Sequence, residues 1–211
     1  MQIKKFTFNP VSVNAYLLWD ETKEAVLIDP ACFYPEEELE LSRFVEKEGL
    51  KVVHILNTHG HFDHLMGNSF ASQKWNLKVE IHPGDAFMSG QARQHAMLFG
   101  ITMKNPTTEA ELLAEGDIIK FGDSSLRVIH VPGHSPGSVA FYDDQDKIII
   151  VGDILFQGSV GRTDLPGGSL ELLIKGIKEK LLSLDEEVVV YPGHGGHTTI
   201  GWEKKTNPFL K

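Results

Sequence analysis

The sequence is short of cysteine, of basic charge and of long apolar runs, and each shortage excludes something. A single cysteine, Cys32, rules out an intramolecular disulfide. The fold must therefore hold by packing, and the reducing cytoplasm is the expected location. A lone cysteine reads more simply as a small half-buried side chain than as a nucleophile or ligand. No stretch approaches the roughly 20 apolar residues of a membrane span. The opening MQIKKFTFNPVSVN alternates polar and apolar residues like a strand and has no apolar centre of the signal-peptide kind. Against 29 acidic residues stand 20 basic ones, a net charge of −9. An acidic surface repels phosphate backbones, so nucleic acid is not an expected partner, and without an apolar span neither is a membrane. The pair Lys204-Lys205 reads as a solvated helix face.

What is present fits one domain over residues 1–211: 41% hydrophobic residues and enough length to bury a sizeable core. Short segments rich in β-branched and aromatic residues predict strands at 2–8, 15–19, 25–28, 51–56, 78–81, 118–121, 125–131, 138–142, 147–151 and 188–191. PEEELELSRFVEK, from Pro35 to Lys47, predicts a helix, with proline at its start, acids in the first turn and Leu39, Leu41, Phe44 and Val45 toward one side. Further helices are expected at 65–75, 84–98, 169–182 and 199–205. The stretches Gly100 to Glu115 and Gly158 to Gly168 read as irregular.

A faint internal repeat runs through this order. NAYLLWDETKEAVLID (Asn14 to Asp29) and SVAFYDDQDKIIIVGD (Ser138 to Asp153) are both 16-residue hairpins ending in aspartate. After each comes a helix, then a strand running into histidines, VVHILNTHGH and VVVYPGHGGH. Two such halves can stack sheet on sheet with helices outside. Active groups would then gather where strand ends from both halves meet.

The strongest chemical signal is Thr58-His59-Gly60-His61-Phe62-Asp63-His64. Residues one or two apart do not share a helix face, so His59 and His61 cannot converge on one ion from a helix. From an extended turn at a strand end they can, leaving Asp63 and His64 to point toward a second ion. Imidazoles with carboxylates suit zinc, and also iron or manganese. Three more loops each offer one ligand after an apolar strand. His134 lies in VPGHSPG, Asp153 follows Ile148-Ile149-Ile150-Val151-Gly152, and His194 follows Pro192-Gly193. A carboxylate at the end of a buried strand needs a strong partner, which a metal supplies. His54, His82, His95 and His130 read as packing or surface residues, and His197 as a surface residue or a neighbour of the ligands.

THGHFDH, VPGHSPG, VGD and YPGHG, in this order, resemble the metallo-β-lactamase superfamily over the whole chain. GDILFQGSVGRTD and KKTNPFL bring the resemblance closest to its glyoxalase II-like branch, the hydroxyacylglutathione hydrolases. The resemblance implies an αββα sandwich of the α/β (α+β) class, two mixed sheets packed face to face with helices outside. It implies two divalent metal ions, zinc first, with His59, His61 and His134 on one, Asp63, His64 and His194 on the other, and Asp153 bridging. The implied reaction is hydrolysis of a small-molecule thioester of the S-2-hydroxyacylglutathione type by a hydroxide held between the ions, which Asp63 also orients. Arg162 stands where these enzymes carry a lysine for the glutathione carboxylate, and a guanidinium can bind a carboxylate in two-pronged fashion; pairing with Asp164 is the local alternative. The family's nearby tyrosine is not matched, since Thr163-Asp164 follow. Glyoxalase II proper adds a helical C-terminal domain; here 17 residues (211 − 194) follow His194, so the thiol carrier stays open.

The competing reading is a persulfide (sulfur) dioxygenase, which resembles this branch but uses one iron, here on His59, His134 and Asp153. β-Lactamases of the common zinc type use a cysteine where Asp153 stands, and flavodiiron proteins a glutamate at the position of His61. A non-catalytic binding module on this fold would be expected to lose ligands, and all seven are present.

Overall fold

The computed structural model describes residues 1–104 and 106–211. Asn105, inside the stretch expected to be irregular, lies outside the described residues. The first half runs β1 (Gln2–Phe8), β2 (Val13–Trp19), β3 (Glu24–Ile28), α1 (Pro35–Glu48), β4 (Lys51–Leu56), α2 (Asn68–Trp75), β5 (Val79–Ile81), α3 (Pro83–Ala86), α4 (Ala92–Leu98) and β6 (Ala110–Leu112). The second runs β7 (Ile118–Phe121), β8 (Ser124–His130), β9 (Val139–Asp143), β10 (Ile148–Gly152), β11 (Leu155–Phe156), β12 (Ser159–Val160), α5 (Leu170–Gly176), β13 (Val189–Pro192), β14 (Thr198–Thr199) and α6 (Ile200–Thr206). Each half builds one six-stranded sheet, in the orders β1-β2-β3-β4-β5-β6 and β14-β13-β10-β9-β8-β7. Both are mixed: hairpins pair antiparallel, while β3 with β4 and β10 with β13 run parallel across a helix.

Side-chain parity puts the layers in place. All seven residues of β2 are buried, because both of its faces are covered. Tyr16 and Leu18 point into the layer between the sheets, with Val26 and Ile28 of β3 and, from the other sheet, Phe141, Ile148 and Ile150. Their neighbours Ala15, Leu17, Trp19, Ala25 and Leu27 face outward onto Leu41, Val45 and Ala71 of α1 and α2. In the second sheet Ala140, Tyr142, Ile149 and Val151 face outward onto Leu173 of α5, Ile177, Leu181 and Ile200 of α6. The period of two along every strand thus makes three apolar layers, and the result is the αββα sandwich.

Several local expectations change. The helix expected over 84–98 is broken into α3, a 3-10 turn at Phe87–Gly90 and α4. Pro83 starts it without trouble, but Gly90 in its interior costs about 1 kcal/mol relative to alanine. The helix expected from Leu65 starts at Asn68, because residues 62–67 are used as turns. Ala110–Leu112, expected to be irregular, is β6, recruited by parallel pairing with β5 rather than by its own pattern. Leu155–Phe156 and Ser159–Val160 pair as a small hairpin at the start of the loop expected over 158–168. Leu39 is exposed, whereas Leu41, Ser42 and Val45 are the buried positions of α1. No helix among the described residues is long and apolar enough to cross a membrane.

Candidate metal centre

The parallel pairs β3–β4 and β10–β13 end at the same edge of the sandwich, and backbone bonds stitch the two sheets together there. Asn14 N donates to the Gly193 carbonyl at 2.7 Å, and Val139 N to the Thr58 carbonyl at 2.8 Å. The Tyr16 hydroxyl and the Asn14 amide both reach the Pro192 carbonyl, at 2.7 and 3.0 Å. Strand ends from both halves are thereby held within one site.

All seven side chains expected there meet. The ligand atoms of His59, His61 and His134 lie within 4.8 Å of one another, and so do those of Asp63, His64 and His194. His134 Nε2 is 2.8 Å from His61 Nδ1 and 3.2 Å from His59 Nε2. Asp153 stands between the two sets, with Oδ1 3.6 Å from His64 Nε2 and Oδ2 3.7 Å from His134 Nε2 and 3.6 Å from His194 Nε2. Asp63 Oδ2 is 3.4 Å from His194 Nε2.

Burial pushes the His59 and His61 imidazoles down, His61 to about 3, and neighbouring imidazoles add to it; burial also lowers His134. These rings stay neutral, with lone pairs free to donate. Around His64 the balance reverses. Burial alone would lower it, but Asp29, Asp153 and Asp63 outweigh that and push it up. Burial would likewise raise the Asp63 and Asp153 carboxyls, yet His64 and His194 hold both below the usual carboxylate range. The carboxylates ask for positive charge at this point, and among the described residues only histidines pair with them.

The residues fit divalent ions on two further observations. His61 Nε2, His64 Nε2 and Asp153 Oδ1 are buried without a hydrogen-bond partner, a costly arrangement unless something else binds there. Four of the five rings are also held from behind, as metal-binding histidines are. His59 Nδ1 is 3.0 Å from Thr58 Oγ1, His64 Nδ1 2.9 Å from Asp29 Oδ2, His134 Nδ1 2.8 Å from the Arg162 carbonyl, and His194 Nδ1 3.2 Å from the Ser12 carbonyl.

Two supporting carboxylates escaped the sequence reading. Asp29 is 1% exposed and accepts from Thr58 N (2.8 Å) and Thr58 Oγ1 (2.6 Å) besides facing His64. Its one sequence signal is its place at the end of the first repeat, opposite Asp153. Asp85 is fully buried and accepts from Gly60 N (2.8 Å), Ser135 Oγ (2.5 Å) and Gly137 N (2.6 Å). It clamps the loop after β4 to the loop after β8. A Cβ on Gly137 would sit 2.6 Å from Asp85 N, so only glycine lets the backbones approach this closely.

The guanidinium of Arg162 lies on the rim and is already engaged, with Nε and Nη2 donating to Asp164 at 2.8 and 2.7 Å. Its backbone, through the carbonyl that holds His134, is what reaches the cluster. Of the other histidines, His54 pairs with Glu80 at 2.6 Å, His82 stacks on His130, and His197 is exposed beside Tyr191. His95, half-buried, lines the cavity in front of the cluster. Cys32 is buried in the core beneath α1, its thiol pushed up by burial and by Glu37 and Glu38, which makes it inert.

A sandwich with this cluster across its shared strand ends belongs to a known class. The chain is a member of the metallo-β-lactamase superfamily, whose family description matches residues 8–194. Over 218 residues it is 36% identical to a protein of Haemophilus influenzae named hydroxyacylglutathione hydrolase GloC, covering all of this chain and 98% of that one. Among solved structures it is similar to TTHA1623 in a di-iron-bound form, with 41% identity, a TM-score of 0.89, and 98% of this chain and 100% of that one covered. It is also similar to BLEG-1 B3 metallo-β-lactamase, at 34% identity and a TM-score of 0.87 over the full length of both.

Proposed function

We propose that the chain is a dinuclear metal-dependent hydrolase that cleaves a thioester of the S-2-hydroxyacylglutathione type. The observation that carries this reading is the double donor set, His59, His61 and His134 beside Asp63, His64 and His194, with Asp153 facing both. The likeness to GloC points to the thioester. Zinc is the expected metal; the di-iron form of TTHA1623 shows that a similar protein takes iron.

When bound, two such ions supply a hydroxide nucleophile at neutral pH and polarise the scissile carbonyl. The chain's own residues do the rest. Asp153 holds the two donor sets in register. Asp63, on the cavity wall, accepts a hydrogen from the attacking water and so aims its lone pair. Phe62 and Met88 shield that side of the site from bulk solvent. Water adds across the C–S bond, giving a carboxylic acid and a thiol, and a thiolate leaves without a strong general acid. Arg162 is the one lysine or arginine lining the cavity among the described residues, and it receives a substrate carboxylate only by releasing Asp164.

The test is hydrolysis of S-lactoylglutathione by purified, zinc-loaded protein, followed by loss of the thioester absorbance. Turnover that a chelator removes and zinc restores is the expected result. No turnover with two ions bound per chain would overturn the S-2-hydroxyacylglutathione assignment. A second reading, persulfide oxidation at one iron, draws on the facing of His59, His134 and Asp153. It leaves Asp63, His64 and His194 without a role, and one iron per chain with oxygen uptake on glutathione persulfide would establish it.

A further inference from the structure

In front of the cluster opens a cavity of about 720 Å³, and its chemistry changes abruptly with distance from the ions. The floor is the polar cluster. The walls are mainly apolar, with Phe62, Phe87, Met88, Leu98, Phe99 and Phe156 among them. Phe99 packs on Phe62 with ring centroids 5.3 Å apart. Phe87, Leu98 and Phe99 are 58%, 82% and 54% exposed. Their side chains are thus not used by the protein's own core. An exposed apolar cluster that is continuous with a reactive centre is a ligand surface.

Glutathione does not match these walls. At neutral pH it carries two carboxylates and an ammonium group, each of which needs a partner if it leaves water. The cavity's one lysine or arginine among the described residues is Arg162, tied to Asp164 by two hydrogen bonds. The carboxylates in the cavity, Asp63 and Asp153, belong to the cluster. A charged tripeptide therefore gains little from the walls, whereas an apolar group of phenyl or hexyl size gains from every atom it buries.

We propose that the substrate is a thioester carrying a bulky apolar group, seated on Phe62, Phe87, Leu98 and Phe99. The inference rests on the thioester cleavage proposed above and departs from its glutathione-type substrate. The apolar group sits on the acyl half or on the thiol half, and the same wall chemistry serves either. Hydrolysis adds water across the C–S bond in both cases, the hydroxyl going to the acyl carbon and the hydrogen to sulfur.

The experiment compares kcat/KM across a matched series with the metal-loaded protein: acetyl, hexanoyl and 3-phenylpropanoyl thioesters of N-acetylcysteamine, S-lactoylglutathione, and the lactoyl thioester of benzyl mercaptan. Each buried methylene is worth about fourfold, so burial of two to three of the four that hexanoyl adds should make it exceed acetyl by at least about thirtyfold. A gain along the acyl series assigns the apolar group to the acyl half, and a gain for the benzyl thioester assigns it to the thiol half. The variants Phe87→Gln and Leu98→Gln, at exposed positions the core does not need, should cut the hexanoyl-to-acetyl ratio at least about fivefold. S-Lactoylglutathione as the best substrate, with no gain from apolar groups, would overturn this inference and leave the thioester reading standing. If no thioester is cleaved, that reading fails, and calorimetric titration with the S-hexyl and S-methyl thioethers of N-acetylcysteamine decides the wall chemistry. Tighter binding of the hexyl compound by about thirtyfold supports the apolar site, and equal binding overturns it.

Discussion

The two halves of the molecule follow one plan and use its last residue differently. In each, a hairpin leads through a helix to a parallel strand, β2–β3 to β4 and β9–β10 to β13. In each, the backbone turns through the left-handed region at the end of the hairpin, at Asp29 and at Gly152, both with φ of 51°. In the first half the aspartate itself takes the left-handed turn, and its carboxylate is consumed behind the cluster by Thr58 and His64. In the second half glycine takes the turn and Asp153 follows one residue later, so its carboxylate reaches the front, with Oδ1 left without a hydrogen bond. A Cβ on Gly152 would come within 2.3 Å of Thr58 Oγ1, on the residue that Asp29 holds. A one-residue offset in an otherwise shared plan thus separates a supporting carboxylate from one placed to meet the ions.

The largest break in that comparison comes at the front. Asp153→Ala removes the group that faces both donor sets, and hydrolysis should fall by on the order of 10³-fold. Elemental analysis should show less than two ions per chain; near-normal turnover with both ions retained would contradict the bridging role. The same deletion of function at the back is milder. Asp29→Asn keeps an acceptor for Thr58 but gives up the charge behind His64, and should weaken metal affinity or activity by about 10–100-fold. Equal losses in the two variants, measured under one metal concentration, would erase the distinction between front and back.

Asp85 joins the halves from a third direction. Asp85→Asn sets an amide N–H₂ against either Gly60 N or Gly137 N, which leaves a buried donor unpaired at about 1–2 kcal/mol. Urea unfolding should register that loss, and metal binding should weaken because both donor loops lose their clamp. Unchanged stability would mean that the loops hold without it.

These residues also mark how far the sequence could be read. The strands and their faces were legible because alternation has a period of two and survives tertiary packing, as in Tyr16 and Leu18 against Leu17 and Trp19. The cluster was legible because ligand-type residues crowd the strand ends at 59–64, 134, 153 and 194. Asp29 was visible only as the counterpart of Asp153 in a repeat. Asp85 was not visible, since an acid after His82-Pro83-Gly84 reads as helix-start chemistry, and its partners lie 25 and 52 residues away. The pairing that makes β6 and the turns that break the helix after Pro83 likewise depend on neighbours distant in sequence. Arg162 is the reverse case: its bond to Asp164 spans two residues and was legible locally.

The smallest effect lies at the sheets' other contact, away from the cluster. His54 on β4 faces Glu80 on β5 through Nδ1 and the Lys120 carbonyl on β7, in the second sheet, through Nε2 at 3.1 Å. The hydrogen bond to Glu80 outweighs burial and raises the His54 pKa above its ordinary value. Because the folded-state pKa is the higher one, the stabilisation is fully present below about pH 6.5 and is lost as pH rises through the folded value. The ring is partly exposed, so solvent screening limits it to about 0–1 kcal/mol. The stability difference between wild type and His54→Gln should therefore be larger near about pH 5.5 than near about pH 9. Comparing the difference, and not either protein alone, cancels the acid sensitivity of the cluster histidines common to both. A difference that grows toward high pH would mean that neutral His54, bonded to the Lys120 carbonyl, is the form that ties the sheets.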